Sequence, residues 1–189
     1  QLNDINIRDP FVLFENNMYY LYGTRAKHFG QKTGGFDVYT SDNLTDWSRP
    51  AECFSSDKFG YNKQVNRAPE VHKYNGKYYM FATFTRKNGL RGTFSLIADS
   101  PLGPFKPHSK LPVTPVEWEC LDGTLYIDKN NDPYLVFCHE HTQIVDGTVC
   151  YIRLNDDLSE YIGEPVTLFS GSSPYYIDRK PKGMHYITD

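Results

Sequence analysis

Three stretches of this chain can be laid over one another. Asp9–Thr24, DPFVLFENNMYYLYGT, matches Ala68–Thr83, APEVHKYNGKYYMFAT, without a gap at an offset of 59. Leu121–Phe137, LDGTLYIDKNNDPYLVF, repeats the pattern with one extra residue in its turn. A whole unit recurring in this way predicts a fold built by repeating one supersecondary element. Each copy reads as strand, turn, strand. Asn16-Asn17, Asn75-Gly76 and Asn130-Asn131 are the expected turns, because Asn and Gly tolerate the left-handed backbone of a tight hairpin. A second element follows each hairpin. FDVYTSDNLTDW, FSLIADSPLGPF and VCYIRLNDDLSEY set Leu44, Leu102 and Leu158 three residues ahead of Trp47, Phe105 and Tyr161. Four strands in roughly 57 residues, with no convincing amphipathic helix between them, predict an all-β chain folded as a β-propeller of four-stranded blades. A β-sandwich does not explain why the unit recurs whole. The repeats fall at about 5–60, 61–115 and 116–175, and a fourth blade is expected to start at 176–189, so that 1–189 is a partial propeller domain.

Composition agrees with strands and narrows the partners. Aromatics reach 15%, with 15 Tyr and 12 Phe, among β-branched residues punctuated by Gly and Pro. The net charge of −3, without a basic run, gives no reason to expect nucleic acid. No stretch approaches the ~18 apolar residues of a helical membrane span, so no membrane partner is expected. The chain begins with Gln1 and shows no signal peptide, and is expected to be processed or trimmed. Cys53, Cys120, Cys138 and Cys150 lack the C-x-x-C spacing of a zinc site and read as buried free thiols, with a Cys138–Cys150 bridge as the alternative.

The repeat gives meaning to the charged pair Arg8-Asp9, which sits just before the proline and apolar run PFVLF, read as a buried strand. In a propeller the first strand of each blade lines the central axis, so equivalent positions converge there. Asp9 and Asp122 share one repeat position; the second repeat has Ala68 there, with Glu70 two residues on. One aspartate before a strand is an ordinary turn residue. A repeat-locked set is expected instead to ring a pocket. The loops after each second strand, RAKHFGQKTGG, FTRKNGLRG and CHEHTQIVDG, should rim that pocket with His28, Phe29, Arg86, His139, Glu140 and His141. Aromatic faces and charged groups in such a mixture suit sugar rings and their hydroxyls. His139 and His141 make a poor metal pair, since alternate strand residues point to opposite faces.

At IRDPFVL, RAPEVHKYNGKYYMFAT and ECLDGTLYIDKNNDPYLVFCHE the chain resembles glycoside hydrolase family 43 over essentially its whole length. The resemblance implies a five-bladed propeller, about three blades of it here, acting on α-L-arabinofuranosides or β-D-xylosides of plant polysaccharides or their oligosaccharides with inversion. It implies that Asp9 is the general base and that Asp122 raises the acid's pKa and orients it. The family's general acid is a carboxylate later in the chain, usually Glu, ahead of Gly-Pro; Asp189 occupies such a place. Two carboxyls ~6.5–9.5 Å apart leave room for the attacking water of an inverting enzyme. A third carboxylate keeps the acid protonated by like-charge repulsion. Arg8, Phe29, Glu70, Trp118, Glu119, His139 and Glu140 are the expected substrate contacts. No cofactor is expected to be required; the resemblance leaves room for a structural calcium in the complete protein. Secretion or a periplasmic location is expected, with the cytoplasm as the alternative. A propeller short of blades is expected to self-associate through open blade edges and, as a fragment, to be inactive. One feature departs from the family: Glu119-Cys120 is similar to the acid motif of the retaining, fructan-cleaving family 32, although that family's Asn-Asp-Pro-Asn-Gly is missing. A non-catalytic carbohydrate-binding propeller is the third reading; it would not need Asp9 and Asp122.

Overall fold

Two-residue turns close the first two hairpins. Glu15 pairs with Met18 and Tyr74 with Lys77, and the residues between them all have positive φ, from 46° at Asn75 to 77° at Gly76. Those turns match the twist of antiparallel strands, which is why Asn and Gly occupy them. The third hairpin differs from expectation. Its turn spans 128–132, only Asn131 in it is left-handed, and the Asp128 carboxylate accepts from the N–H groups of Asn130 and Asp132.

The structure, a computed structural model, describes residues 5–25, 34–59, 66–173 and 186–188. Twelve strands in these segments form three four-stranded antiparallel meanders. The first sheet contains β1 (Ile7–Glu15), β2 (Met18–Arg25), β3 (Gly35–Ser41) and β4 (Ala51–Ser55). The second contains β5 (Arg67–Tyr74), β6 (Lys77–Thr85), β7 (Arg91–Ala98) and β8 (Lys106–Pro107). The third contains β9 (Cys120–Ile127), β10 (Pro133–His139), β11 (Thr148–Leu154) and β12 (Tyr161–Ser170). The innermost strands are neighbours: β5 lies against β1 and β2, and β9 lies against β5, β6 and β7. These are blades of a β-propeller. Among the described residues, helix is confined to a 3-10 turn at Ser56–Phe59 and one turn, α1 (His141–Ile144), inside a stretch expected to be loop.

Strand alternation divides the core between two blade interfaces. Along β6, Tyr78, Met80 and Ala82 face the first blade, where they join Tyr22, Phe36 and Phe54. Tyr79 and Phe81 face the third blade and meet Leu135, Phe137 and Ile152. The middle blade is therefore buried on both faces, and β6 reads as a nearly continuous apolar run for that reason. Tyr22, wholly buried, donates its hydroxyl to the carbonyl of Pro101 at 2.6 Å and so ties the first blade to the second. The expectation that PFVLF is buried holds only in part. Phe11 and Leu13 pack on the core, but Val12 is 44% and Phe14 55% exposed, because their face of β1 points away from the second blade. The outward face of the third blade likewise keeps Tyr126, Val166 and Leu168 at the surface.

The cysteines are free and buried. Cys150 stands opposite Phe137, one step out of register with Cys138, so the two thiols project to opposite faces of the sheet. Burial pushes the Cys53 thiol up to about 12.

Candidate active site

The position that carries the aspartates is a β-bulge in each of the three described blades. Between Arg8 and Phe11 two residues, Asp9-Pro10, oppose the single Gly23. Ala68-Pro69 does the same between Arg67 and Glu70, and Asp122-Gly123 between Leu121 and Thr124. The first residue of each bulge is left-handed, with φ of 52° at Asp9, 50° at Ala68 and 54° at Asp122. A bulge bends the strand and re-aims the side chain it carries. It also explains the proline in an otherwise regular strand: Pro has no N–H to give and is tolerated at bulges. A positive φ costs Ala more than Asp, whose short polar side chain suits the left-handed region. Three bulges thus recur at one repeat position on the inner strands, with a carboxylate in blades one and three.

Buried threonines join these bulges across blades. Thr24, 0% exposed, donates its hydroxyl to Asp9 Oδ2 at 2.7 Å and accepts the N–H of Ala68 at 2.8 Å. One hydroxyl therefore separates the first blade's carboxylate from the second blade's bulge. Thr83, the repeat equivalent of Thr24, accepts the N–H of Asp122 at 3.1 Å. Around Asp9 the rim is open to solvent: its side chain is 33% exposed, and the Arg8 guanidinium stands 3.8 Å away, 42% exposed. Glu70 turns to its own strand, 3.2 Å from His72 Nε2.

The third-blade rim is a fixed polar cluster. Arg91, at the start of β7, gives its Nε to Glu119 Oε1, its backbone N–H to Glu119 Oε2 at 2.7 Å, and Nη2 to Glu140 Oε2 at 2.7 Å. The two glutamates are 12% and 3% exposed. Both raise the Arg91 pKa by hydrogen bonding and charge, against the desolvation that lowers it. Gln143 on α1 is the second hub. Its Oε1 accepts from Glu119 N–H and faces His139 Nε2, both at 2.7 Å, and its Nε2 donates to the Glu117 carbonyl at 3.0 Å. Because that oxygen can only accept, His139 carries its proton on Nε2. Burial lowers the His139 pKa below the usual imidazole value. Trp118 lies flat on the His139 ring, centroids 4.1 Å apart and planes 14° apart, while Arg86 Nη2 reaches the Trp118 carbonyl.

The predicted residues thus fall into two groups. Asp9, Arg8 and Asp122 sit at the bulges, whereas Trp118, Glu119, His139 and Glu140 share the Arg91–Gln143 cluster. Both oxygens of Glu119 are engaged by Arg91, which anchors the segment leading into Asp122. Phe29, His28 and Asp189 lie outside the described residues. Among the described residues no group of three His, Cys, Asp or Glu side chains could hold a metal ion. Sequence reading missed Thr24, Arg91 and Gln143. The threonines close the aligned repeats, a signal that was in view; Arg91 and Gln143 gave none.

Comparison with known proteins places this geometry. The model of glycosyl hydrolases family 43 matches residues 4–186. The chain belongs to that family. Among solved structures, an endo-arabinase from Bacteroides thetaiotaomicron VPI-5482 shares 38% identity at a TM-score of 0.81, over 89% of this chain and 57% of that one. A thermostable family-43 glycoside hydrolase shares 29% at 0.76, over 87% and 53%. An endo-1,4-β-xylanase from the same Bacteroides shares 30% at 0.67, over 82% and 50%. The family 43 chain therefore spans about half the length of these solved relatives, from 50% to 57%. No curated protein matches it.

Proposed function

We propose that the whole protein carrying this chain hydrolyses α-L-arabinofuranosidic or β-D-xylosidic bonds of plant polysaccharides or their oligosaccharides, with inversion at the anomeric carbon. The observation that carries the reading is the pair of left-handed bulges presenting Asp9 and Asp122 from the inner strands of blades one and three. A carbohydrate-binding propeller would not need a carboxylate at these bulges, and Ala68 shows that the bulge forms without one. The endo-arabinase and endo-xylanase among the relatives support the two substrate classes.

In this reading Asp9 is the general base. Its solvent-facing carboxylate takes a proton from water as that water attacks the anomeric carbon. Asp122 acts on the general acid, orienting it and disfavouring its ionised form. The acid is assigned to Asp189, the late carboxylate of this chain. Arg8 is positioned to favour the ionised Asp9 or to meet a sugar hydroxyl. Phe29 and Glu70 are assigned to substrate, as are Trp118, Glu119, His139 and Glu140 of the third-blade cluster. Neither the base nor the assigned acid needs a cofactor; a calcium, if one is held, is structural and belongs to the complete protein.

The test is turnover of arabino- and xylo-oligosaccharides followed by NMR in the first minutes. Inverted product, together with loss of turnover by about 10²–10⁴-fold in Asp9→Asn even with good leaving groups, is expected. Retained configuration overturns the mechanism and returns the protein to the family 32 style of chemistry.

A further inference from the structure

The hydroxyl of Thr24 is the point where two blades meet at a carboxylate. We propose that Thr24 is the positioning residue of the general base, holding Asp9 in its working rotamer by a relay that begins at the Ala68 N–H of the next blade. The proposal rests on the reading of Asp9 as the base. Its grounds are geometric. Thr24 is completely buried, and a hydroxyl has one proton to donate. Because the Ala68 N–H occupies a lone pair of Thr24 Oγ1 at 2.8 Å, that proton is left for Asp9 Oδ2 at 2.7 Å. The threonine's direction is therefore fixed, and its hydroxyl holds Asp9 Oδ2 in place. The second oxygen is left to face Arg8 and solvent.

The repeat separates this role from ordinary packing. Thr83 makes the same inter-blade bond to the Asp122 N–H, but its own blade has Ala68 where a carboxylate would stand. Thr83 therefore joins blades without holding a base. In the third blade the position belongs to Cys138, which stands opposite Leu121 as Thr24 stands opposite Arg8, and whose thiol donates to the Thr188 carbonyl at 3.1 Å. The fold thus accepts a thiol at this site.

The experiment compares Thr24→Val, Thr24→Ser, Thr24→Cys, Thr83→Val and Asp9→Asn in the whole protein, using aryl arabinofuranoside and xyloside as probes across pH. Thr24→Val is expected to lower kcat about 10- to 100-fold, the worth of a hydrogen bond to a charged group, with KM within about threefold. The acidic limb of log(kcat/KM) should move to higher pH, because the ionised base has lost a donor. Thr24→Ser should recover activity to within about threefold, and Thr24→Cys, a weak donor, should fall between Ser and Val. Thr83→Val should lose stability comparably and leave the acidic limb in place. If Thr24→Val does not fold, Thr24→Cys carries the same comparison. Wild-type kcat and an unmoved acidic limb in these Thr24 variants, with Asp9→Asn inactive, overturn the proposal. An active Asp9→Asn overturns the reading of the base beneath it.

Discussion

Removing the Arg91 guanidinium would strand two glutamates. In Arg91→Met the chain keeps its length and most of its apolar stem, and the backbone N–H still reaches Glu119 Oε2. Glu119 Oε1 loses its partner, and Glu140 Oε2 loses the Nη2 bond at 2.7 Å, retaining a long contact to the Thr142 hydroxyl at 3.5 Å. Glu140 is 3% exposed and cannot recover that loss from water. Breaking a buried pair by deleting one partner costs about 3–5 kcal/mol, because a charge is left uncompensated in low dielectric. Arg91 serves both carboxylates, while Glu140 Oε1 keeps His141 Nδ1 at 3.2 Å, so a loss within that range is expected. Urea denaturation at pH 7 should show the loss as a lower midpoint at unchanged slope. Arg91→Met/Glu140→Gln should regain part of it, since a neutral amide no longer needs the guanidinium. A loss below about 1 kcal/mol, the worth of an exposed pair, would refute the reasoning, as would a double variant no more stable than the single.

Two further predictions concern the same rim. His139 has a pKa below its unfolded value because burial disfavours the imidazolium. The unfolded chain therefore binds the proton first, and stability should fall as pH drops from about 6.5 towards the lower folded value. His139→Phe, which keeps an aromatic ring on Trp118, should flatten that slope in urea melts between pH 7 and pH 5; an unchanged slope would count against it. Gly23→Ala places a methyl 2.7 Å from Ile7 Cδ1 and 2.8 Å from the Arg8 carbonyl, directly across from the Asp9 bulge. A loss of about 1–3 kcal/mol from overpacking is expected, together with reduced turnover as Asp9 shifts; full activity would show that the bulge tolerates displacement.

What the sequence determined by itself is whatever a residue's own chemistry or a fixed chain spacing can specify. The aligned stretches at Asp9, Ala68 and Asp122 disclosed the repeat, because each blade must present the same strand and turn to its neighbour. Asn16-Asn17 and Asn75-Gly76 disclosed their hairpins, since few residues accept their backbone. The third turn was misplaced by the same rule: Asp128 caps a longer loop, and side-chain capping carries no spacing signal as strict as Asn-Gly. Alternation in β6 was obscured because both faces are buried, so hydrophobicity does not distinguish one interface from the other. Tertiary structure alone decided the partners. Arg91 meets Glu119 and Glu140 across 28 and 49 residues of chain, and Thr24 meets Ala68 across 44. Such contacts form where blades pack, so their energy depends on a relative placement that local sequence does not encode. The left-handed bulges belong to both levels: Pro10 and Pro69 are tolerated there because the bulge needs no ladder N–H from them, and the hydrogen bonds of the neighbouring blade hold the bulged N–H of Ala68 and Asp122 in place.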